Sequence, residues 1–366
     1  MLAALLTRYS MAGTAPAKLT QLMDLIDEKF IGEYDAVTAE DAAAYAMVDA
    51  LGDRWSYYIP AAQYETHKEQ AANAYVGIGI TITPLEEGGM EVVAVNPDGP
   101  AFEAGILAGD VAVAVNGQSI LEMDAEETRN LVRGKEGTEL DVTVLRGGEE
   151  LTLTVTRRRV QTRVASGQML AGNVGLVTIE NFDSRCAAES IAAMESLLAD
   201  GAQMLIFDVR NNPGGYADEL VKLLDYLLPE GELFRTVDYA GRENVDRSDA
   251  ACLDVPMAVL VNADSYSAAE FFAAALSEYD AAVVVGQKTS GKGYFQNTFR
   301  LNDGSAVGLS VGKYFTPKGE NLQDVGITPD VEISVDEETA MQIYLDALEP
   351  ENDPQIQAAL SALKSE

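Results

Sequence analysis

The sequence predicts an α+β multidomain fold: a layered α/β domain, a mostly-β unit set into the chain ahead of it, and helices at the N-terminus. Three observations predict it. After residue 161, short apolar strands alternate with amphipathic helices, the pattern of parallel βαβ units. Near Tyr75 the composition switches to alternating strands and glycine turns, a character that ends near residue 160. Ahead of Tyr75 the chain reads as helical. The implied division is 1–74, helical; 75–160, mostly β; 161–335, α/β; and 336–366, a helical tail.

Taken in order, LTQLMDLIDEKF (19–30) places Leu22, Met23, Leu25 and Ile26 close to one helical stripe. Thr38 followed by Asp41 resembles a helix-capping pair, and Gly52 suits the end of that helix. YVGIGITITP and GMEVVAV read as strands, followed by a short glycine-flanked helix, a strand and a turn at Asn116-Gly117. Residues 123–133 read as helix, and a second turn, Gly147-Gly148, joins two long strands. Beyond 161, VGLVTI, QMLIFDV, MAVLV and AAVVVG are strands. QMLIFDV is nearly all apolar, as a buried parallel strand should be. Helices are expected over 187–200 and 216–228, the latter stopped by Pro229, and over SAAEFFAAAL. The tail from about Asp336 reads as helix and polar linker without visible chemistry.

The 366 residues suffice for two or three compact domains. Fifty-nine acidic residues against 25 basic ones give a net charge of -34, which repels nucleic-acid phosphates and anionic lipid heads. Cys186 and Cys252 are too few for a disulfide scaffold; they could pair or both be buried thiols. No Cys/His spacing suits structural zinc. There is no apolar stretch of the ~18 residues that a membrane helix needs, and the apolar run before Arg8 is short for a signal peptide. The single histidine, His67, lies in the polar ETHKEQ and reads as a solvated surface residue, so a histidine-based mechanism has no good candidate.

Three segments of the α/β domain carry possible chemistry. DVRNNPGG (Asp208–Gly215) follows a buried strand, where open α/β sheets place ligands. It reads either as a tight turn before a helix or as a loop whose N–H groups face a developing negative charge. NADSYSAAE (Asn262–Glu270) follows MAVLV and opens a helix. Capping by Asp264 or Ser265 explains one polar residue there but does not need Ser267, whose hydroxyl would stand at the positive end of the helix. GQKTSGKGYFQ (Gly286–Gln296) follows AAVVVG and sets Lys292 between two glycines. Most such lysines are solvated, but this segment returns to the edge that carries Ser267. A serine needs a base, and without a histidine the remaining candidate is a lysine whose pKa is lowered by burial.

Together these segments resemble the carboxyl-terminal processing peptidases, the tail-specific serine proteases. The resemblance runs from about residue 20 to 333, with several motifs in family order. Ser267 with Ala268, Ala269 and Glu270 matches the family's nucleophile motif. Thr289, Gly291, Lys292 and Gly293 match T-x-G-K-G, 25 residues from serine to lysine, and Gln296 matches the glutamine that orients the amine. Asp208–Gly215 matches D-x-R-N-N-P-G-G. LGDRWSYYIP resembles the segment ahead of the family's PDZ domain, YVGIGI its groove strand, and GKYFTPKGENLQDVGITPD the closing loop. Tyr266 stands where many members have alanine.

The resemblance implies a crotonase-like (ClpP-like) α/β peptidase domain with an inserted mostly-β PDZ-like domain. It implies a Ser267–Lys292 dyad assisted by Gln296, and an oxyanion hole from the N–H groups of Gly215 and Ala268, with Gly214 the neighbouring choice. It also implies substrate capture at Val76, Gly77, Ile78 and Gly79 by strand addition, and no metal or organic cofactor. The partners would be polypeptides with accessible C-termini, with a homodimer through terminal helices by analogy. The location would be extracytoplasmic, with a targeting segment or membrane anchor expected to be absent from this chain. Two rivals are weighed. A silent PDZ-bearing peptide scaffold would be supported by a lost serine or lysine, and both are present. An acyltransferase or hydratase on a similar layer would want an acyl-carrier phosphate site, and none is recognisable.

Overall fold

The computed structural model describes residues 15–85 and 87–364; the short apolar run before Arg8 lies outside them. Its centre is a six-stranded sheet in the order 165–170, 174–179, 204–208, 257–261, 282–286 and 331–332. The first pair is antiparallel and the rest are parallel. Side chains alternate between two cores, as the twofold period of a strand requires. Leu205, Phe207, Val259 and Val261 face the helices Cys186–Ala199, Ala217–Leu227 and Ala268–Glu278. Ile206, Ala258, Leu260 and Val285 face the other way, onto Ile356, Ala359 and Leu363. The last three belong to helix Pro354–Leu363, so the helical part of the tail packs on the central strands of this face.

A second, antiparallel sheet runs 57–59, 306–315, 231–238, 243–248, with 294–300 also on 306–315. Strand Tyr57–Ile59 comes from the N-terminal region, which the sequence reads as helical only. Helix Ala36–Asp49 is capped by Asp35, whose carboxylate accepts Thr38 N at 2.9 Å. The expected Thr38/Asp41 cap is therefore displaced, and Asp41 instead accepts the Tyr58 hydroxyl at 2.7 Å. The stripe of helix Ala15–Lys29 is not covered: Leu22 is 52% and Leu25 49% exposed.

The mostly-β unit is a five-stranded antiparallel sheet of 80–84, 90–95, 111–115, 139–146 and 149–156, with a short sixth strand at Gln118–Ser119. It has its own core, with Met90, Val92, Ile106, Ile120 and Val144 fully buried. Helix Ala125–Val132 starts at a reciprocal cap between Asp124 and Glu127. YVGIGITITP is two strands, not one. Ala74–Gly77 pairs with 158–161, joining the entry and exit of the unit, and Ile80–Pro84 pairs with 90–95. The break falls at Gly79, whose φ is +80°. Cys186 is buried, with its thiol pushed up to about 12 by burial, and Cys252 is exposed; the two are not paired.

Candidate active site

Asp208, Val261 and Gly286 end three neighbouring parallel strands, and the loops that follow them meet at one sheet edge. The first two loops are stitched together by amides. Asn212 donates to Ile179 O at 2.6 Å, accepts Gly214 N at 2.8 Å through its side chain, and accepts Tyr266 N at 3.1 Å through its carbonyl. Asn262 accepts Asn211 N at 2.9 Å, and the Ser265 hydroxyl donates to Val209 O at 2.7 Å. Ser265 is thus a stitch, not the cap of the helix.

Ser267 stands at the head of helix Ala268–Glu278 with φ 58° and ψ −125°, a conformation that strains any residue with a Cβ. Gly214 makes room for it. A Cβ at Gly214 would lie 2.7 Å from Ser267 Cβ and 2.8 Å from both Ala268 N and Tyr266 O. The N–H of Gly214 is spent on Asn212, whereas the N–H groups of Gly215 and Ala268 have no hydrogen-bond acceptor among the described residues. Ala268 N directly follows the serine, and Gly215 lies one residue beyond the glycine packed on it.

Glu270, fully buried one turn into the helix, joins the serine to the lysine segment. Its Oε2 accepts Ser267 N at 3.0 Å and Lys292 N at 2.8 Å, and its Oε1 accepts Gly291 N at 2.7 Å and the Thr289 hydroxyl at 2.5 Å. Burial pushes this carboxyl up, and the four hydrogen bonds pull against it. The role was missed in the sequence because Glu270 shows there only as a motif letter.

Burial brings the Lys292 amine down to about 8, opposed first by the charge of Asp53 and then by that of Glu270. The amine lies 4.8 Å from the centre of the Trp55 ring and 5.9 Å from that of Tyr266. The residue that departs from the family pattern is thus part of the aromatic wall around the base. Gln296 donates to Tyr294 O at 3.1 Å and Ser310 Oγ at 2.9 Å, and the direct bond to the Lys292 amine is not formed. Tyr314, packed on Phe234, Phe271 and Phe295, is pushed up to about 12 by burial, with a hydrogen bond from Ser267 opposing. Arg210, also missed, is buried between Asp208 and the tail, reaching Asp353 at 2.7 Å and Gln355 at 3.0 Å. His67 lies on helix Ala61–Ala71 with its ring against Tyr57.

In the mostly-β unit, Val76 and Gly77 are paired with Arg159 and Arg158. The carbonyls of Ile78 and Gly79 accept Ala101 N and Asn96 N, while their own N–H groups have no acceptor among the described residues. They open on a cleft of about 290 Å³ between strand Ile80–Pro84 and helix Ala125–Val132.

An α/β layer with this serine-headed helix at its strand ends, bearing an inserted PDZ-like unit, defines a PDZ-containing peptidase fold. The chain belongs to peptidase family S41: that family's model matches residues 173–333, and a PDZ domain model matches 76–156. A CtpA-like serine protease of Staphylococcus saprophyticus is 32% identical over 331 residues, 89% of this chain and 66% of that protein. One from Staphylococcus epidermidis is 30% identical, over 90% and 67% of the two chains. This chain spans just under two thirds of the first of these curated relatives. Among solved structures, the photosystem II D1 C-terminal processing protease superposes with a TM-score of 0.50 at 27% identity, covering 86% of each chain. An S41-family protein of Bacteroides fragilis shares the fold, with a TM-score of 0.51 at 20% identity over 80% of this chain and 83% of that one.

Proposed function

We propose that the chain is a serine endopeptidase of the carboxyl-terminal processing type, with a Ser267–Lys292 dyad. The observation that carries this is the shared carboxylate. One oxygen of Glu270 holds the backbone of both residues, and the amine is brought to about 8, where a lysine can act as a base. Neutral Lys292 takes the Ser267 proton as Oγ attacks the scissile carbonyl carbon. The oxyanion is held by the N–H groups of Gly215 and Ala268. Lys292-H⁺ then protonates the leaving amine as the C–N bond breaks. Water, deprotonated by the same amine, attacks the acyl carbon, and the ammonium returns the proton to Ser267 Oγ as the ester C–O bond breaks. Gln296 steadies the strand beside the base, through Ser310 in this state.

The four-part division 1–74, 75–160, 161–335 and 336–366 assigns chemistry to the third part and substrate capture to the second. The free N–H groups of Ile78 and Gly79 suit a terminal carboxylate or a main-chain carbonyl of a polypeptide. The uncovered stripe of helix Ala15–Lys29 suits a second copy of the chain. Among the described residues no helix is long and apolar enough to cross a membrane. An extracytoplasmic site of action is part of the proposal and rests on the family resemblance.

Digestion of an unstructured protein by the wild type, Ser267→Ala and Lys292→Ala, read by mass spectrometry, tests the dyad. Both variants should fold and lose at least about 1,000-fold in rate. Wild-type turnover by either folded variant overturns the assignment.

A further inference from the structure

The Lys292 loop is clasped from outside the α/β layer by residues 53–56. Arg54 donates to Ser290 O at 2.9 Å and Gly291 O at 3.5 Å. The Trp55 ring carries the Arg54 guanidinium at 4.3 Å and the Lys292 amine at 4.8 Å. Next to it, the Asp53 carboxylate is held in place by two donors. Oδ1 accepts Trp55 N at 3.1 Å and Oδ2 accepts the Ser56 hydroxyl at 2.6 Å. Ser56 Oγ in turn accepts Ser310 N at 3.1 Å, and Ser310 Oγ accepts Gln296 Nε2 at 2.9 Å. Ser310 thus joins Gln296, bonded to its hydroxyl, to the Asp53 turn, bonded to its N–H through Ser56, and the Trp55 ring of that turn lies against the amine.

On the reading of Lys292 as the base, we propose that Asp53 is a positioning residue for it. Asp53 holds the turn that sets the Trp55 ring on the amine, and its negative charge acts on the amine from beyond ion-pair distance. Residues 51–56 lie outside both matched family models. The charged and titratable groups around the amine are Asp53 from this turn, Glu270 from helix Ala268–Glu278, Arg54 across Trp55, and Tyr266 from the serine loop. Of these, Glu270 is occupied by four donors, whereas Asp53 comes from an element that only the folded chain brings near.

The sign follows from the charges. Burial disfavours the ammonium form, and Asp53 is the first of the groups that favour it. Burial likewise pushes Asp53 up, but Ser310, Ser56, the Trp55 N–H and the Lys292 charge outweigh it and hold the carboxyl below its usual range. Removing the Asp53 charge should therefore let the amine lose its proton at lower pH. The alternative is a carboxylate that only folds the turn. Asparagine and serine can both replace it in that turn, since each accepts the Trp55 N–H in the same local geometry.

The test is the pH profile of kcat/KM for peptide hydrolysis by the intact wild type, Asp53→Asn, Asp53→Ser, Asp53→Glu and Lys292→Ala. In the two neutral variants the acidic limb should move down by about one pH unit, with kcat reduced more than KM is changed. Asp53→Glu should return the limb toward the wild-type position. Asp53→Ser keeps the question answerable if the asparagine packs badly. A limb that stays in place while activity merely falls overturns the proposal and leaves the dyad standing, provided Lys292→Ala is inactive. A Lys292→Ala enzyme with the wild-type limb removes the dyad and this role together.

Discussion

Replacing Glu270 probes the joint on which the proposed dyad depends. In Glu270→Ala three backbone N–H groups, of Ser267, Gly291 and Lys292, lose their acceptor in a buried site. The Thr289 hydroxyl loses its acceptor too but still accepts Ile327 N at 2.7 Å. An unsatisfied buried donor costs about 1–3 kcal/mol. Water entering the emptied space recovers part of that, so a loss of roughly 3–5 kcal/mol is expected. Glu270→Gln keeps one oxygen but turns an NH₂ group toward two donors, at a cost of about 2–4 kcal/mol. Neither should unfold a protein of ordinary stability, about 5–15 kcal/mol. The rate should suffer more than stability. Ser267 sits in a strained conformation that its neighbours must enforce, and a misplacement of about 1 Å costs on the order of 100-fold. Denaturant unfolding and peptide hydrolysis on the same preparations measure both effects. A glutamine variant within about 0.5 kcal/mol of the wild type, with activity within about threefold, would refute the reasoning.

Three further outcomes follow from single contacts. Gly214→Ala should cut kcat by at least about 100-fold, because its Cβ meets Ser267 and backbone atoms at 2.7–2.8 Å. Gly172→Ala, at φ +84° with nothing within 4 Å, is the control and should cost only about 1 kcal/mol by denaturant unfolding. Asp183 is raised by burial to about 6, so its folded value exceeds its unfolded one, and stability present at low pH is lost as pH rises through about 6. Asp183→Asn should therefore stabilise the protein by about 1 kcal/mol at pH 8, after allowance for solvent screening, and by nothing near pH 4. A peptide with a free apolar C-terminus should bind at least about tenfold more tightly than its amidated twin in calorimetry, if the N–H groups of Ile78 and Gly79 take its carboxylate.

The sequence was most legible where structure is local. Strands such as Met204–Asp208 and Met257–Val261 are continuous apolar runs because both faces are buried, and that signature needs no tertiary knowledge. The turns at Asn116-Gly117 and Gly147-Gly148 were readable for the same reason: all four residues have positive φ, which those residue types tolerate. Where partners are distant the signal vanished. YVGIGITITP alternates throughout, yet its first half pairs with Arg158–Gln161, some eighty residues away, and its second half with its neighbour. The helical character of the tail was legible, and Asp353 caps helix Pro354–Leu363 locally through Gln355 N and Ile356 N, but the bonds of Asp353 and Gln355 to Arg210 span 143 and 145 residues and left no local signal. The segment bearing Ser267 was legible as a strand end that opens a helix, and the one bearing Lys292 as a glycine-edged strand end. Glu270 was not, because three of its four donors lie 19–22 residues onward, and Arg54 is 236 residues from Ser290.

The proposed chemistry sets a lysine the task of being neutral near pH 8 in a chain of net charge -34. A surface so acidic favours every ammonium, and an exposed lysine here would be a poor base. Two features of the site limit that effect. Surface charges beyond about 8 Å are screened at physiological salt. Inside that distance the amine is walled by Trp55 and Tyr266, where the loss of water acts against the charge. The contest is therefore local, between burial on one side and the carboxylates of Asp53 and Glu270 on the other. Those carboxylates also hold the backbone on either side of the amine in place, Glu270 through Lys292 N and Asp53 through the turn that carries Trp55. Groups that fix the geometry of the base thus also keep its pKa from falling further. A lysine depressed much below neutrality would be deprotonated but too weak to take a serine proton. One near 8 keeps both the neutral form and useful basicity, which is the balance this arrangement strikes.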